Sequence, residues 1–309
     1  MMNDTQLHFD QFTHVITLCV GLTIGFGATD RAWALDCGFR DCPLRGAKLK
    51  PHPDDPHASS SDGWGVHSFQ LSLDTAMVSL ASDANGMTGY ALEEAVGLIA
   101  ELHPRLSIGV SAAYQWILPE DERWPGEDVS GFGNPLLSVE GELWADGAWR
   151  LISGLQVVFP FGSKYRGVAE EHWELMPYLS GSWTHDSFST EVSVGFRESI
   201  TDHEHGVDDS HPESAMMVLG YVDPNGAREW VVRGASGWAS PDGEFSGLVY
   251  LDVMLPTMEE DIGEYVEAGL EVATQLTGAL ALSANLGKAL YGEVRRAPLR
   301  SGLGFQYSF

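Results

Sequence analysis

The chain has 309 residues, of which 44% are hydrophobic and 20% are charged, and its formal net charge is −27. This surplus of acid argues against nucleic acid as a partner, because binding to phosphates requires Lys and Arg. It is compatible with an exported protein kept soluble by charge, or with acidic loops and an acidic interior that favour cations or neutral solutes.

The N-terminal 34 residues have the features of a cleaved secretory signal. The longest apolar run, between Val15 and Ala28, is too short for an ordinary membrane-spanning helix. Ala32-Trp33-Ala34 then has the small-x-small form of a signal-peptidase site, although no Lys or Arg precedes the apolar run. We predict a signal peptide over residues 1–34 and export of the remainder.

Residues 35–63 contain many Pro, Ser and Asp and no apolar period, so we predict a periplasmic arm or a plug. Cys37 and Cys42 are most simply a small disulfide loop in an exported chain. Together with His52 and His57 they also supply the ligand types of a zinc site, which an oxidising compartment disfavours. We predict no metal and no cofactor.

From Trp64 onward the sequence alternates between apolar and polar residues in segments of about ten residues separated by turns. Short connections and longer, more acidic ones alternate along the chain, as in bacterial outer-membrane barrels with an even strand count. We predict an all-β fold: a single-domain transmembrane antiparallel β-barrel of about 12 strands over residues 64–309. The strands are predicted at 68–80, 87–102, 105–117, 132–144, 148–159, 172–184, 187–199, 228–239, 244–255, 263–276, 279–287 and 298–309.

Two segments allow another interpretation. Tyr90–Leu102 also fits a helix, since Leu92, Ala95, Val96 and Ile99 follow a helical period. Ala215–Val222 has the composition of a thirteenth strand, and we place it in a long outer loop only because the strand count must be even. A soluble β-sandwich with aromatic core positions is the alternative to a membrane barrel.

The chain ends in a strictly alternating segment that finishes on an aromatic residue. Phe305, Tyr307 and Phe309 share the apolar face, whereas Gly304 and Gln306 lie on the other. This ending is typical of the last strand of an outer-membrane barrel, whose aromatic end lies at the membrane interface and serves as the barrel assembly signal. Many Trp residues also lie near predicted strand ends, where their amphipathic rings favour the interface.

Gly131, Gly133, Asn134 and Pro135 open a strand that is followed by a tight turn and a second strand, which ends at Pro160 and Gly162. This pair resembles the hairpin motif of an outer-membrane transporter family named for the meta-cleavage pathway of phenol degradation. That family is allied to hydrophobic-compound and long-chain fatty acid channels. The resemblance implies passive passage of small, hydrophobic molecules. However, Asn134 replaces the family's usual Asp and Phe161 replaces its usual Thr, so the resemblance supports the barrel more strongly than it supports the family's substrate.

Charged side chains in the predicted strands should point into the barrel, because an Arg facing lipid at the midplane costs about 2–4 kcal/mol. There they either pair into a network that fills the barrel or line a passage and set ion preference. The candidates for lining the lumen and for transport are Arg105, Arg150, Arg197, Arg233, Glu140, Glu142, Glu191, Asp252, Glu267 and Glu271. Glu93, Glu101, Glu174 and Arg300 are predicted on the same face.

Enzymes of the outer membrane are the rival class. His185-Asp186-Ser187 places suitable residue types together, but without the His-x-Ser spacing of a barrel phospholipase. We therefore predict no enzyme activity.

The predicted function is a channel for small solutes, hydrophobic ones if the resemblance extends to substrate, in the outer membrane of a Gram-negative bacterium. Its predicted partners are outer-membrane lipid, the barrel assembly machinery and a small-molecule solute. The alternatives are a non-conducting structural or adhesion barrel whose acidic loops contact cations or polysaccharide, and a lipid-modifying barrel enzyme.

Overall fold

The computed structural model describes residues 68–82, 87–119, 129–161, 173–200, 228–257, 265–291 and 299–309. Within these ranges the chain forms thirteen strand segments. They are β1 (Ser68–Ser82), β2 (Met87–His103), β3 (Leu106–Pro119), β4 (Val129–Phe132), β5 (Leu136–Asp146), β6 (Trp149–Val158), β7 (Glu174–His185), β8 (Phe188–Ser199), β9 (Glu229–Ala239), β10 (Phe245–Pro256), β11 (Tyr265–Gln275), β12 (Leu280–Tyr291) and β13 (Leu299–Ser308).

The sheet closes on itself. Strand β1 pairs with β2 on one side and with the last strand, β13, on the other, and every pairing is antiparallel. Both β4 and β5 pair with β3 and follow each other along the chain, so they form one interrupted strand of a wall of twelve. The predicted all-β barrel is confirmed, and the predicted strand limits agree with the observed ones to within a few residues. Among the described residues, no helix has the length and apolarity needed to cross a membrane.

The interruption between β4 and β5 falls on the glycine motif. Gly133, Asn134 and Pro135 separate the two segments, and the Gly133 N–H donates to the Ala113 carbonyl at 2.9 Å. Pro135 has no N–H and cannot donate a hydrogen bond to a neighbouring strand, which is consistent with the break in strand pairing here. The prediction of one continuous strand over 132–144 was wrong at this point, because the pairing with β3 stops at Phe132 and resumes at Leu136.

Strand β2 settles the ambiguous segment. Its residues pair with β1 and β3 along the whole length, so the helical interpretation of Tyr90–Leu102 was wrong. Residues 1–67 and 201–227 lie outside the described residues, so the signal peptide, the arm and the possible strand at Ala215–Val222 stay predictions.

The connections β2–β3, β5–β6, β7–β8, β9–β10 and β11–β12 lie at one end of the barrel, together with the C terminus; we call this the short-turn end. We call the opposite end, where the four-residue β1–β2 connection and the longer connections lie, the long-loop end. Gly147 and Gly243 have φ of 54° and 72°, conformations that glycine adopts without steric cost. Asp186 has φ of 54° in its turn, where Asp is among the residues that tolerate the left-handed region.

The outer face of the wall is apolar and carries aromatic rings at both ends. Trp149 and Trp183 have centroids 6.4 Å apart at the short-turn end, and Phe159 and Trp173 have centroids 4.9 Å apart at the long-loop end. Between them the outward side chains are mostly apolar, and Val110 is half exposed. Two aromatic girdles around an apolar band are the pattern of a transmembrane barrel.

Candidate functional site

The candidate site is the interior of the barrel, where strand alternation gathers the charged side chains. Because successive side chains point to opposite faces, one parity on each strand faces inward, except that β5 changes parity at the register shift between Glu142 and Trp144. The inward-facing acidic residues of the described strands are Asp74, Glu93, Glu101, Glu140, Glu142, Glu174, Glu191, Glu229, Asp252, Glu267 and Glu271. The basic residues on the same face or at its rim are Arg105, Arg150, Arg197, Arg233 and Arg300.

The interior face of β9, β10 and β11 is filled with large, interlocking polar side chains, which we call the ionic wall. The Arg233 guanidinium lies 3.7 Å from both the Asp252 and the Glu271 carboxylates, and 4.7 Å above the Tyr250 ring. Asp252 and Glu271 are 1% and 0% exposed. Partners of opposite charge are needed at such depth, since an uncompensated buried charge is costly.

Glu267 joins the ionic wall to the last strand. Its carboxylate accepts hydrogen bonds from the Tyr250 hydroxyl at 2.8 Å and the Tyr265 hydroxyl at 2.9 Å. The Arg300 guanidinium of β13 lies 3.5 Å from the same carboxylate. Two phenol donors and one arginine together satisfy a carboxylate that is 1% exposed.

Two tyrosines lie flat over glycines of the neighbouring strand. Tyr250 is directly opposite Gly269, and a Cβ added to Gly269 would fall 2.2 Å from the Tyr250 ring. Tyr178 stands in the same relation to Gly154, also at 2.2 Å. The missing side chain therefore makes the space that each ring occupies, and the ring covers the bare backbone.

Two further carboxylates are buried on β8 and β9. Glu229 pairs with Arg197 directly across the two strands. Glu191 accepts hydrogen bonds from the hydroxyls of Ser180 at 2.7 Å and Ser193 at 2.8 Å. The two hydroxyls are neutral donors, and the charge of the Arg233 guanidinium also stabilises the Glu191 carboxylate.

Glu142, on β5 near the short-turn end, lies between two arginines. Its carboxylate is 3.6 Å from the guanidinium of Arg105 and 3.8 Å from that of Arg150. The Glu140 carboxylate accepts a hydrogen bond from Tyr178 at 2.6 Å.

Beyond β12 and β13 from the ionic wall, the interior face of β1 and β2 near the short-turn end carries polar and small residues that are partly exposed. We call Gln70, Ser72, Asp74 and Gly97 the small-residue wall. Ser72 lies directly opposite Gly97, so that a Cβ on Gly97 would fall 2.6 Å from the Ser72 hydroxyl. The partial exposure of these residues contrasts with the almost complete burial of Asp252 and Glu271 in the ionic wall.

Each predicted lumen residue of the described strands lies on the interior face, with Arg105 exposed at the rim of the short-turn end. The sequence analysis missed Glu229 and Asp74. Glu229 lies four residues before Arg233 on β9, so strand alternation predicts that both side chains face inward. The sequence analysis also missed Glu94, which lies exposed on the outer face between Thr75 and Tyr114. The role of these residues in transport stays a prediction.

The remaining predicted positions lie away from the interior. Phe305, Tyr307 and Phe309 are exposed on the outer face, with Tyr307 and Phe309 centroids 4.7 Å apart. Their role in barrel assembly stays a prediction. Pro160 follows β6, whereas Gly162, Cys37 and Cys42 lie outside the described residues.

The segment His185-Asp186-Ser187 does not assemble as a nucleophile with its base. Ser187 is buried at 4% exposure, whereas His185 and Asp186 are exposed at the turn, 3.7 Å from each other. Within the described ranges, no group of three or more His, Cys, Asp or Glu is arranged to hold a metal ion.

Solved outer-membrane barrels are similar to this fold. An outer membrane channel from Pseudomonas putida F1 superimposes with a TM-score of 0.59 at 14% identity, covering 82% of this chain and 99% of that one. The NanC porin gives a TM-score of 0.51 at 8% identity, covering 77% of this chain and 98% of that one. No protein-family model matches the sequence, and no curated protein matches it. At these identities the likeness establishes the fold of outer-membrane barrels, and membership of the phenol-degradation family stays a prediction.

Proposed function

We propose that the chain is an outer-membrane channel through which small solutes pass passively, with its short-turn end in the periplasm. The observation that carries this proposal is the small-residue wall. Ser72, Asp74 and Gly97 are polar or small, face inward and are partly exposed, in a barrel whose outer face is apolar. Partly exposed polar positions inside a closed barrel are those that water and dissolved solutes can reach. Both superimposed structures, a channel and a porin, support the proposal.

The interior chemistry favours water-soluble solutes. The phenol-degradation resemblance implies hydrophobic ones, but the described interior carries carboxylates, guanidinium groups and hydroxyls. A hydrophobic solute would gain nothing from displacing water next to these groups, because their desolvation is costly.

A non-conducting barrel is the second candidate, and the ionic wall favours it. Glu267, Glu271 and Arg300 are at most 1% exposed, as in a barrel filled by its own side chains. The two candidates differ in whether the space beside the small-residue wall runs through to the long-loop end.

A measurement of solute flux distinguishes a channel from a non-conducting barrel. The full chain is refolded in detergent, shown to be folded by a shift in gel mobility on boiling, and inserted into liposomes. A channel gives swelling in isotonic solutions of small neutral sugars that declines as the sugar becomes larger. Folded protein that gives no more swelling than empty liposomes would exclude the channel and favour the non-conducting barrel.

A further inference from the structure

The described interior holds more acid than base by a wide margin. Eleven carboxylate side chains face inward against five arginines, one of which, Arg105, is mostly exposed at the rim. Because this surplus is a difference in number, it is the same however the arginines are shared among the carboxylates. The interior is therefore negative overall when its carboxylates are ionised.

Each of the five arginines lies beside at least one of these carboxylates. Arg105 and Arg150 flank Glu142, and Arg197 pairs with Glu229. Arg233 lies beside Asp252 and Glu271, and Arg300 beside Glu267. Even with one arginine counted against each of these five carboxylates, six carboxylates remain in number. The other inward-facing carboxylates are Asp74, Glu93, Glu101, Glu140, Glu174 and Glu191.

Several of these other carboxylates accept hydrogen bonds from neutral donors. The Glu93 carboxylate accepts from the Gln115 amide at 2.6 Å, and the Glu101 carboxylate from the Ser68 hydroxyl at 2.8 Å. Glu140 is held by Tyr178 in the same way, and Glu191 by two serines. Hydrogen bonds from amides and hydroxyls favour the charged form of a carboxylate and leave its charge in place.

Two buried amide oxygens add acceptors to the same space. Asn285 lies directly opposite Glu271 on the neighbouring strand, is 8% exposed, and its Oδ1 accepts no hydrogen bond. Gln115, beside Glu93, is 6% exposed, and its Oε1 accepts none either. Amide oxygens that accept no hydrogen bond, close to carboxylates, favour the binding of cations and of molecules with hydrogen-bond donors.

We propose that the interior of the channel selects small cations over anions. This inference rests on the proposed channel function. Carboxylates around a confined aqueous path, enclosed by a low-dielectric wall, focus a negative potential that concentrates cations and repels anions. Glu101 and Glu140 contribute most to the entry of an ion from the short-turn end, because both are partly exposed at that end of the interior.

The test is the reversal potential of the full chain in a planar bilayer under a gradient of potassium chloride. A cation-to-anion permeability ratio above one is expected. Glu101→Gln and Glu140→Gln should each lower this ratio by about fourfold, because a unit charge about 10 Å away in water favours the cation about twofold and disfavours the anion about twofold. The gel-mobility shift on boiling shows that each variant is folded.

Glu94→Gln is the matched control. It makes the same change on the same strand as Glu101, but on the outer face, so the permeability ratio should stay at the wild-type value. A ratio that the two interior variants leave unchanged would overturn the assignment to these carboxylates. Current with a ratio at or below one would overturn cation selection and leave the channel proposal standing. Folded protein that carries no current would overturn both.

Discussion

The two sides of the barrel interior are built from different side chains. On β9, β10 and β11, Arg233, Tyr250 and Glu271 interlock and are almost completely buried. On β1 and β2, Ser72 and Gly97 occupy equivalent inward positions and are partly exposed. The difference is confined to the part of β1 and β2 near the short-turn end, because Ala76 and Ala95, further along the same face, are 5% and 8% exposed. We expect the buried region to stabilise the barrel and the partly exposed region to line the proposed passage.

The largest expected effect comes from removing the arginine that links β13 to the ionic wall. Arg300→Met leaves the buried Glu267 carboxylate without its cation, which should lower the free energy of unfolding by about 3–5 kcal/mol. Urea unfolding in detergent, followed by tryptophan fluorescence, measures the loss. Lys288→Met is the control, because Lys288 is exposed on the outer face near the long-loop end, where loss of the charge should raise stability by at most about 1 kcal/mol. Equal losses in the two variants would show that the ionic wall contributes no more to stability than the surface.

A smaller effect is expected where a tyrosine lies over a glycine. Gly269→Ala puts a Cβ 2.2 Å from the Tyr250 ring, which must shift and weaken its hydrogen bond to Glu267. Overpacking of this kind should cost about 1–3 kcal/mol in the same unfolding measurement. Gly181→Ala is the control, since no atom lies within 4 Å of the added Cβ. A Gly269→Ala barrel as stable as Gly181→Ala would mean that Tyr250 is not held against β11.

The smallest effect is expected outside the membrane, in the turn between β9 and β10. The Ser240 hydroxyl and then the Glu244 N–H donate to the Asp242 carboxylate, which lowers the pKa of Asp242 below its ordinary value of 3.8. The charged form is thus favoured in the folded state. Its stabilisation is present above pH 3.8 and is lost as the pH falls through the lowered folded pKa. Asp242→Asn should therefore be slightly less stable than wild type at neutral pH and equal to it in strong acid. A difference that does not change with pH would contradict this assignment.

Much of the barrel follows from the sequence because alternation is a local property. The inward positions of Glu267 and Glu271, and the outward positions of Leu303 and Phe305, follow from parity within a single strand. The same reasoning excludes a helix at Tyr90–Leu102, once the neighbours of β2 are known to pair with it.

The contacts that distinguish the two sides do not follow from parity. Cross-strand register determines that Tyr250 lies over Gly269 and that Glu271 lies opposite Asn285. The sequence of a single strand does not specify this register. The break between β4 and β5 was signalled by Gly133 and Pro135, but its place in the pairing depends on β3.

The most direct test of the account builds on the small-residue wall itself. Ser72→Tyr places a ring opposite Gly97, as Tyr178 lies opposite Gly154, so the ring can pack without loss of the fold. Leu73→Tyr adds the same ring at the next residue, on the outer face. If solutes pass along this wall, Ser72→Tyr reduces single-channel conductance by roughly half or more, while Leu73→Tyr leaves it unchanged. Equal conductance in the two folded variants would contradict the claim that the passage runs here.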